Sequence, residues 1–158
     1  MKAKLYLEST IPSYYVARPS RNLVLRAHQA TTRRWWKKRL HDFEVHISDV
    51  VLDEIALGES TMARKRLALL RPFPLLAATD ASRELARALI ATGPLPPRAA
   101  RDAAHIALST VHEMHFLLTW NCRHIANAEM LRKIEQVCGD LGFRCPVVCT
   151  PEELLGED

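Results

Sequence analysis

Glycine is scarce in this chain, with five residues in 158. The motifs built on it are missing as well. No G-x-G-x-x-G, G-x-x-x-x-G-K-[ST] or G-x-S-x-G occurs, so a dinucleotide fingerprint, a Walker-type phosphate loop and a hydrolase nucleophile elbow have no footing. No apolar run approaches the ~20 residues of a membrane-spanning helix. The Leu5-Tyr6-Leu7 that follows Met1-Lys2-Ala3-Lys4 is too short for a secretory h-region. The four cysteines, Cys122, Cys138, Cys145 and Cys149, form no C-x-x-C and no repeated pair spacing, which argues against structural zinc. Nothing points to export, so small buried thiols are expected rather than disulfides. Internal repeats and Gly/Ser linkers are absent too. What remains is ordinary: 48% apolar and 25% charged residues exclude a disordered chain. The length suits one domain over residues 1–158, and the expectation is a soluble, cytoplasmic protein. Its charge, 22 − 18 = +4, permits a nucleic-acid partner without demanding one.

Strand and helix signals alternate along the chain. Residues 3–7 are a short apolar run that predicts a buried strand, and Pro12 suits the first turn of a following helix. Leu23, Ala27, Ala30 and Trp35 recur at helical spacing within 20–40. Strands are predicted at 43–47, 74–77, 116–119 and 146–149. Helices are predicted from Ser48-Asp49 towards Leu57, over 61–70, from Thr79/Asp80 to Thr92, over 98–112 and over 126–141. Such alternation through short connections implies a parallel sheet with helices on both faces.

In an open parallel sheet, reactive groups collect beyond the carboxyl ends of the strands. Glu8 directly follows the first strand, and Asn121 comes two residues after Thr119, the end of the fourth. Asp102 opens the helix leading into that strand, and Glu54 lies about two turns into the helix after the second. Carboxylates gathered this way repel one another and raise each other's pKa values. A hard divalent cation such as Mg²⁺ or Mn²⁺ relieves the repulsion and keeps positions for phosphate oxygens and water. Taken singly, each acidic residue reads as a helix cap or dipole partner. His105, one turn after Asp102, reads as a supporting partner of the site or as a helix-packing residue. His112 and His115 straddle a helix end and read as surface histidines. Trp35-Trp36 reads either as a base-stacking pair or as one core ring and one interfacial ring.

Four segments carry a family resemblance. Leu5-Tyr6-Leu7-Glu8-Ser9-Thr10 resembles the opening strand and acidic-Ser/Thr motif of PIN domains, and Asp49-Val50-Val51-Leu52-Asp53-Glu54-Ile55 resembles their second acidic motif. Arg101-Asp102-Ala103-Ala104-His105-Ile106-Ala107 and Phe116-Leu117-Leu118-Thr119-Trp120-Asn121 resemble the third and fourth. With His124-Ile125-Ala126-Asn127-Ala128, they look most like VapC-type toxins of type II toxin–antitoxin systems, over about residues 3 to 155. The resemblance implies a three-layer α/β/α sandwich with a central parallel sheet of four to five strands. It implies an endoribonuclease dependent on Mg²⁺ or Mn²⁺, an RNA substrate, a small antitoxin partner and a homodimer. Carried over by position, Glu8, Glu54 and Asp102 are carboxylate ligands, Asn121 fills the fourth place and the Thr10 hydroxyl supports the first.

Two positions depart from the family pattern. The family usually has Asp where Glu8 stands, and the extra methylene moves the oxygens outward by about one C–C bond. Asn121 offers an amide oxygen and no charge. These departures frame a competing expectation, a nucleic-acid- or partner-binding module that kept the fold and lost the chemistry. Residues 18–39 hold eight Lys/Arg and no Asp/Glu. This stretch reads as a solvated helix face or, with the resemblance, as an RNA- or antitoxin-docking surface using Arg33, Arg34 and Lys37.

Overall fold

The computed structural model describes residues 1–157 and places the first apolar run, Ala3–Leu7, as strand β1. The other strands are β2 (Phe43–Ser48), β3 (Leu75–Leu76), β4 (Phe116–Leu118) and β5 (Val147–Cys149). They form one sheet in the order β3-β2-β1-β4-β5, parallel at every pairing. β1 is central and covered on both faces, which is why it reads as a continuous apolar run; Leu5, Tyr6 and Leu7 are fully buried. The strand order runs outward in both directions from β1, so the topological switch point lies between β1 and β4. A crevice beyond the carboxyl ends of those strands is where a doubly wound sheet binds its ligands.

Among the described residues, seven α-helices flank the sheet: α1 (Thr10–Val16), α2 (Leu23–Arg39), α3 (Asp49–Ile55), α4 (Ser60–Leu70), α5 (Asp80–Ala91), α6 (Ala100–Val111) and α7 (Ala128–Asp140). The architecture is a three-layer α/β/α sandwich. Local chemistry sets most helix starts. The Ser48 side chain accepts from Val51 N–H ahead of α3, and Thr79 and Ser82 form a reciprocal capping box at α5. Three bounds differ from the periodicity for the same kind of reason. α2 begins at Leu23 rather than at 20, because the Asn22 side chain caps it. α7 begins at Ala128 rather than at 126, because Asn127 accepts from the Glu129 and Met130 amides. A single 3-10 turn over Pro97–Ala99 takes up the first residues of the helix expected from 98. β3 is an edge strand of two residues, shorter than the 74–77 run.

The core joins both helical layers to the sheet through Ile11, Trp35, Leu85, Leu89, Ile106 and their neighbours. No helix among the described residues is long and apolar enough to cross a membrane. Leu85 on α5 is fully buried, whereas Leu57 is 57% exposed. Leu85→Ala is expected to cost about 2–5 kcal/mol in urea unfolding, from lost transfer energy plus a cavity. Leu57→Ala is expected to stay within about 0.5 kcal/mol.

Candidate functional site

The residue after β1 is Glu8, and the parallel register Leu7↔Leu118 puts it beside Thr119, the residue after β4. Glu8 is only 3% exposed. Its Oε2 accepts from the hydroxyls of Thr119 (2.6 Å) and Thr10 (2.5 Å), and its Oε1 accepts from Ser9 Oγ (2.9 Å) and the Thr10 amide (3.2 Å). These contacts supply hydrogen bonds and no formal positive charge. They offset the several kcal/mol that removing a carboxylate from water costs. Ser9 stands at the N-cap of α1, where a serine ordinarily caps its own helix, yet it makes no capping bond there. Its hydroxyl lies between two carboxylates, Glu8 Oε1 and, at 3.1 Å, Glu54 Oε1.

Glu54 projects from α3 and uses Oε1 a second time, for the Nε2 of His105 on α6. His105 is fully buried, and its Nδ1 contacts Tyr6 Oη at 2.7 Å; Tyr6 Oη in turn contacts Ser48 Oγ at 2.7 Å. Burial alone would raise the Glu54 carboxyl, but the hydrogen bond and charge of His105, the Ser9 hydroxyl and the Arg101 charge hold it below its ordinary value. Burial, together with the negative charges of Glu8 and Glu54, pushes the Tyr6 phenol far up, leaving it a hydroxyl donor. An ionised Glu54 only accepts, so His105 Nε2 carries the proton it donates there.

Glu8, Glu54 and His105 form a group whose ligand atoms all lie within 4.8 Å of one another, and the group could hold a metal ion. At that separation two carboxylate charges repel by roughly 3.5 kcal/mol at an effective dielectric near 20. A cation between them removes that cost. With His105 Nε2 spent on Glu54 and four donors already on Glu8, the free lone pairs lie on Glu54, and an ion bridging to Glu8 takes the place of one of its hydroxyl donors.

The other two expected ligands sit apart in their bonding. Asp102, on the first turn of α6, has Oδ1 held by Asn121 Nδ2 (3.0 Å) and Oδ2 by His124 Nδ1 (2.9 Å). Asn121 therefore faces Asp102 with its amide nitrogen, while its amide oxygen accepts from the His124 backbone N–H at 3.1 Å. The structure thus divides the four expected ligands into a Glu8–Glu54 pair and an Asp102–Asn121 pair. Thr10 touches Glu8 as the motif suggested.

Ser9, Thr119 and His124 lie in segments that carry the resemblance, but the sequence reading gives them no role of their own. Ser9 and Thr119 directly follow β1 and β4, and that position was the available signal. His124 lies in the loop after Asn121, where no periodicity marks a side chain. His105, read more readily as packing, is a buried partner of Glu54. His112 Nε2 contacts Ala77 O at 2.7 Å, and His115 Nδ1 accepts from the Lys4 amide at 2.9 Å, so both hold local backbone. Trp35 is a core ring, and Trp36 packs against Tyr15 and Phe73. Arg33 donates to the carbonyls of Tyr15 and Ala17, tying α2 to the end of α1, while Arg34 and Lys37 are exposed on α2. Cys138 and Cys149 are buried, and burial, with the nearby Glu153 charge, pushes the Cys149 thiol up to about 12. A cleft of about 740 Å³ opens at the amino ends of the strands, lined by Ala3, Phe116, Cys145 and Val147 among others, and contains none of these carboxylates.

The chain matches no family model, no curated protein and no solved structure. The site's chemistry therefore rests on its own geometry.

Thr119→Val strips Glu8 Oε2 of a donor and leaves the Asn121 amide without its 2.9 Å acceptor. A loss of about 1–3 kcal/mol is expected in urea unfolding at neutral pH. The lowered Glu54 carboxyl has a definite pH signature. Its contribution to stability is complete above the ordinary 4.5 and is lost as pH falls through the lower folded value. In EDTA, the stability difference between wild type and Glu54→Gln should therefore shrink on acidification through that window. A difference that stays constant or grows would contradict the assignment.

Proposed function

We propose that this chain is a divalent-metal-dependent endoribonuclease that hydrolyses RNA phosphodiesters, acting as the toxin of a toxin–antitoxin pair. The approach of Glu8 to Glu54 beyond the carboxyl ends of the central strands carries the reading. Two ionised groups in one half-buried crevice store a repulsion that a divalent cation relieves. Their oxygens suit Mg²⁺ or Mn²⁺, which prefer carboxylate and water ligands. When bound, such an ion supplies the Lewis acidity that polarises a phosphodiester and makes water a nucleophile near neutral pH.

The chain's own residues supply position. Ser9, Thr10 and Thr119 lock Glu8, and His105, backed by Tyr6, locks Glu54. Such fixed groups pay no reorganisation cost when charge develops on the phosphate. Asp102 has two donors on its carboxylate, which leaves about half of its roughly four acceptor sites for water. Asp102 is therefore the residue that orients the attacking water and takes its proton. The antitoxin and the homodimer belong to the same reading through the family resemblance.

One observation favours a second reading, a binding module without chemistry: Asn121 spends both ends of its amide on Asp102 and His124. One experiment separates the two. RNA is incubated with wild type and Asp102→Asn in Mg²⁺ or Mn²⁺, with EDTA as control. Wild type is expected to cleave, EDTA to stop cleavage, and Asp102→Asn to be slower by about 10²–10⁴-fold, the usual share of a positioned base. Equal cleavage by both proteins would sink the nuclease. Salt-sensitive RNA binding without turnover in either would establish the module instead.

A further inference from the structure

A stack of three rings begins where the carboxylate site ends. Trp120 lies two residues past β4, and its backbone N–H donates to Thr10 Oγ1 at 2.9 Å, the same hydroxyl that holds Glu8. Its indole Nε1 donates to Thr32 Oγ1 on α2 at 2.7 Å. With these two bonds and only 9% exposure, the indole is fixed. His28, one turn earlier than Thr32 on α2, stacks on it with ring centroids 4.1 Å apart and planes 12° apart. Tyr14 of α1 lies near-parallel as well, at 6.2 Å and 13°. Three elements thus deliver three parallel rings that start two hydrogen bonds from Glu8.

The outermost of these rings has little structural employment. His28 is half-buried, and its imidazole makes no hydrogen bond among the described residues. Val24, four residues earlier and so on the same helix face, is 66% exposed, an apolar surface beside an aromatic one. The surrounding stretch, residues 18–39, carries eight Lys/Arg and no acidic residue, six of the eight on α2 itself. A flat, apolar, pre-aligned face flanked by cations next to a phosphodiester-cleaving site matches a nucleobase, whose π-face stacks on aromatic rings while its strand's phosphates meet Lys and Arg. Because the inner rings are already fixed, seating a base here orders few side chains.

We propose that Tyr14, Trp120 and His28 form the base-stacking platform of the RNA substrate, with a base next to the scissile phosphate lying on His28 and extending the stack. The assignment rests on the ribonuclease reading and supplies its substrate-positioning part. It places sequence-tolerant recognition of single-stranded RNA on α2, through ring stacking and without base-edge hydrogen bonds.

The test compares a labelled single-stranded oligoribonucleotide with the same strand made abasic, by fluorescence anisotropy at low salt in EDTA, where the proposed chemistry is off. Wild type is expected to bind the base-bearing strand about tenfold more tightly. His28→Ala is expected to lose that preference while keeping its affinity for the abasic strand, and His28→Phe to restore it. The circular dichroism melt of both variants is recorded as a folding control, and His28→Phe, which keeps a ring on Trp120, is expected to match the wild-type melt. The platform is overturned if wild type shows no preference or does not bind, or if His28→Ala keeps the full preference. Cleavage in Mn²⁺ is scored separately. Base preference without cleavage sinks the nuclease and leaves the platform, and cleavage without base preference does the reverse.

Discussion

A carboxylate buried at the end of the central strand sets the terms for everything around it. Glu8 cannot keep its charge at 3% exposure unless donors converge on it, and the fold brings four, from Ser9, Thr10 and Thr119. That convergence needs β1 and β4 in parallel register, with their first residues beyond the sheet side by side. It also needs α1 to start at once, so that the Thr10 amide and hydroxyl turn back towards the strand end. A one-residue slip between β1 and β4 would point Thr119 to the other side of the sheet and strand the charge. The switch-point topology and the buried carboxylate therefore require each other.

The second carboxylate is organised from beneath. Ser48 caps α3 and also contacts Tyr6; Tyr6 contacts His105, and His105 contacts Glu54, which α3 itself carries. The chain of contacts closes a loop from the start of a helix to a side chain near its end, through the middle of the core. A polar network placed there is costly when any member is unmet and specific when all are met. An apolar core of similar volume would be at least as stable. A network that instead aligns one oxygen of Glu54 towards Ser9 and His105 makes sense as positioning for charge chemistry.

How much of this was legible in the sequence follows from how local each signal is. Strand ends are local: a short apolar run followed by Glu8 or by Thr119 marks a position that the parallel topology then brings together. Helix caps are nearly as local: Ser48 and Thr79 mark their helix starts directly, and Asn22 and Asn127 set bounds that apolar periodicity misplaces by a residue or more. Glu54 could be placed near Glu8 because it follows the neighbouring strand. The partner on α6 was harder. Asp102 and His105 share a helix face, and which of them meets Glu54 depends on how deep each turn of α6 lies against α3, which spacing does not encode. The deeper residue, His105, reaches Glu54; the shallower, Asp102, meets the loop carrying Asn121 and His124. Trp120 was hidden for a related reason, since it belongs to no periodic element and its side-chain partners lie 88 and more residues away.

The distribution of charge gives the modest net value of +4 its physical meaning. Helix α2 is strongly basic, yet it is not an independent surface. Thr32 receives the Trp120 indole, His28 lies on its ring, and Arg33 ties the helix to the carbonyl end of α1. α1 begins at Thr10, whose hydroxyl holds both Glu8 and the Trp120 amide. The cationic helix and the paired carboxylates are thus joined through a single residue pair, Thr10 and Trp120. On the proposed reading, a polyanion drawn to α2 by long-range attraction arrives at a crevice where its own charge would otherwise be repelled. A cation held between Glu8 and Glu54 would let a phosphate approach both, so on that reading attraction at the helix and repulsion at the crevice together favour a phosphodiester strand that comes with a divalent ion.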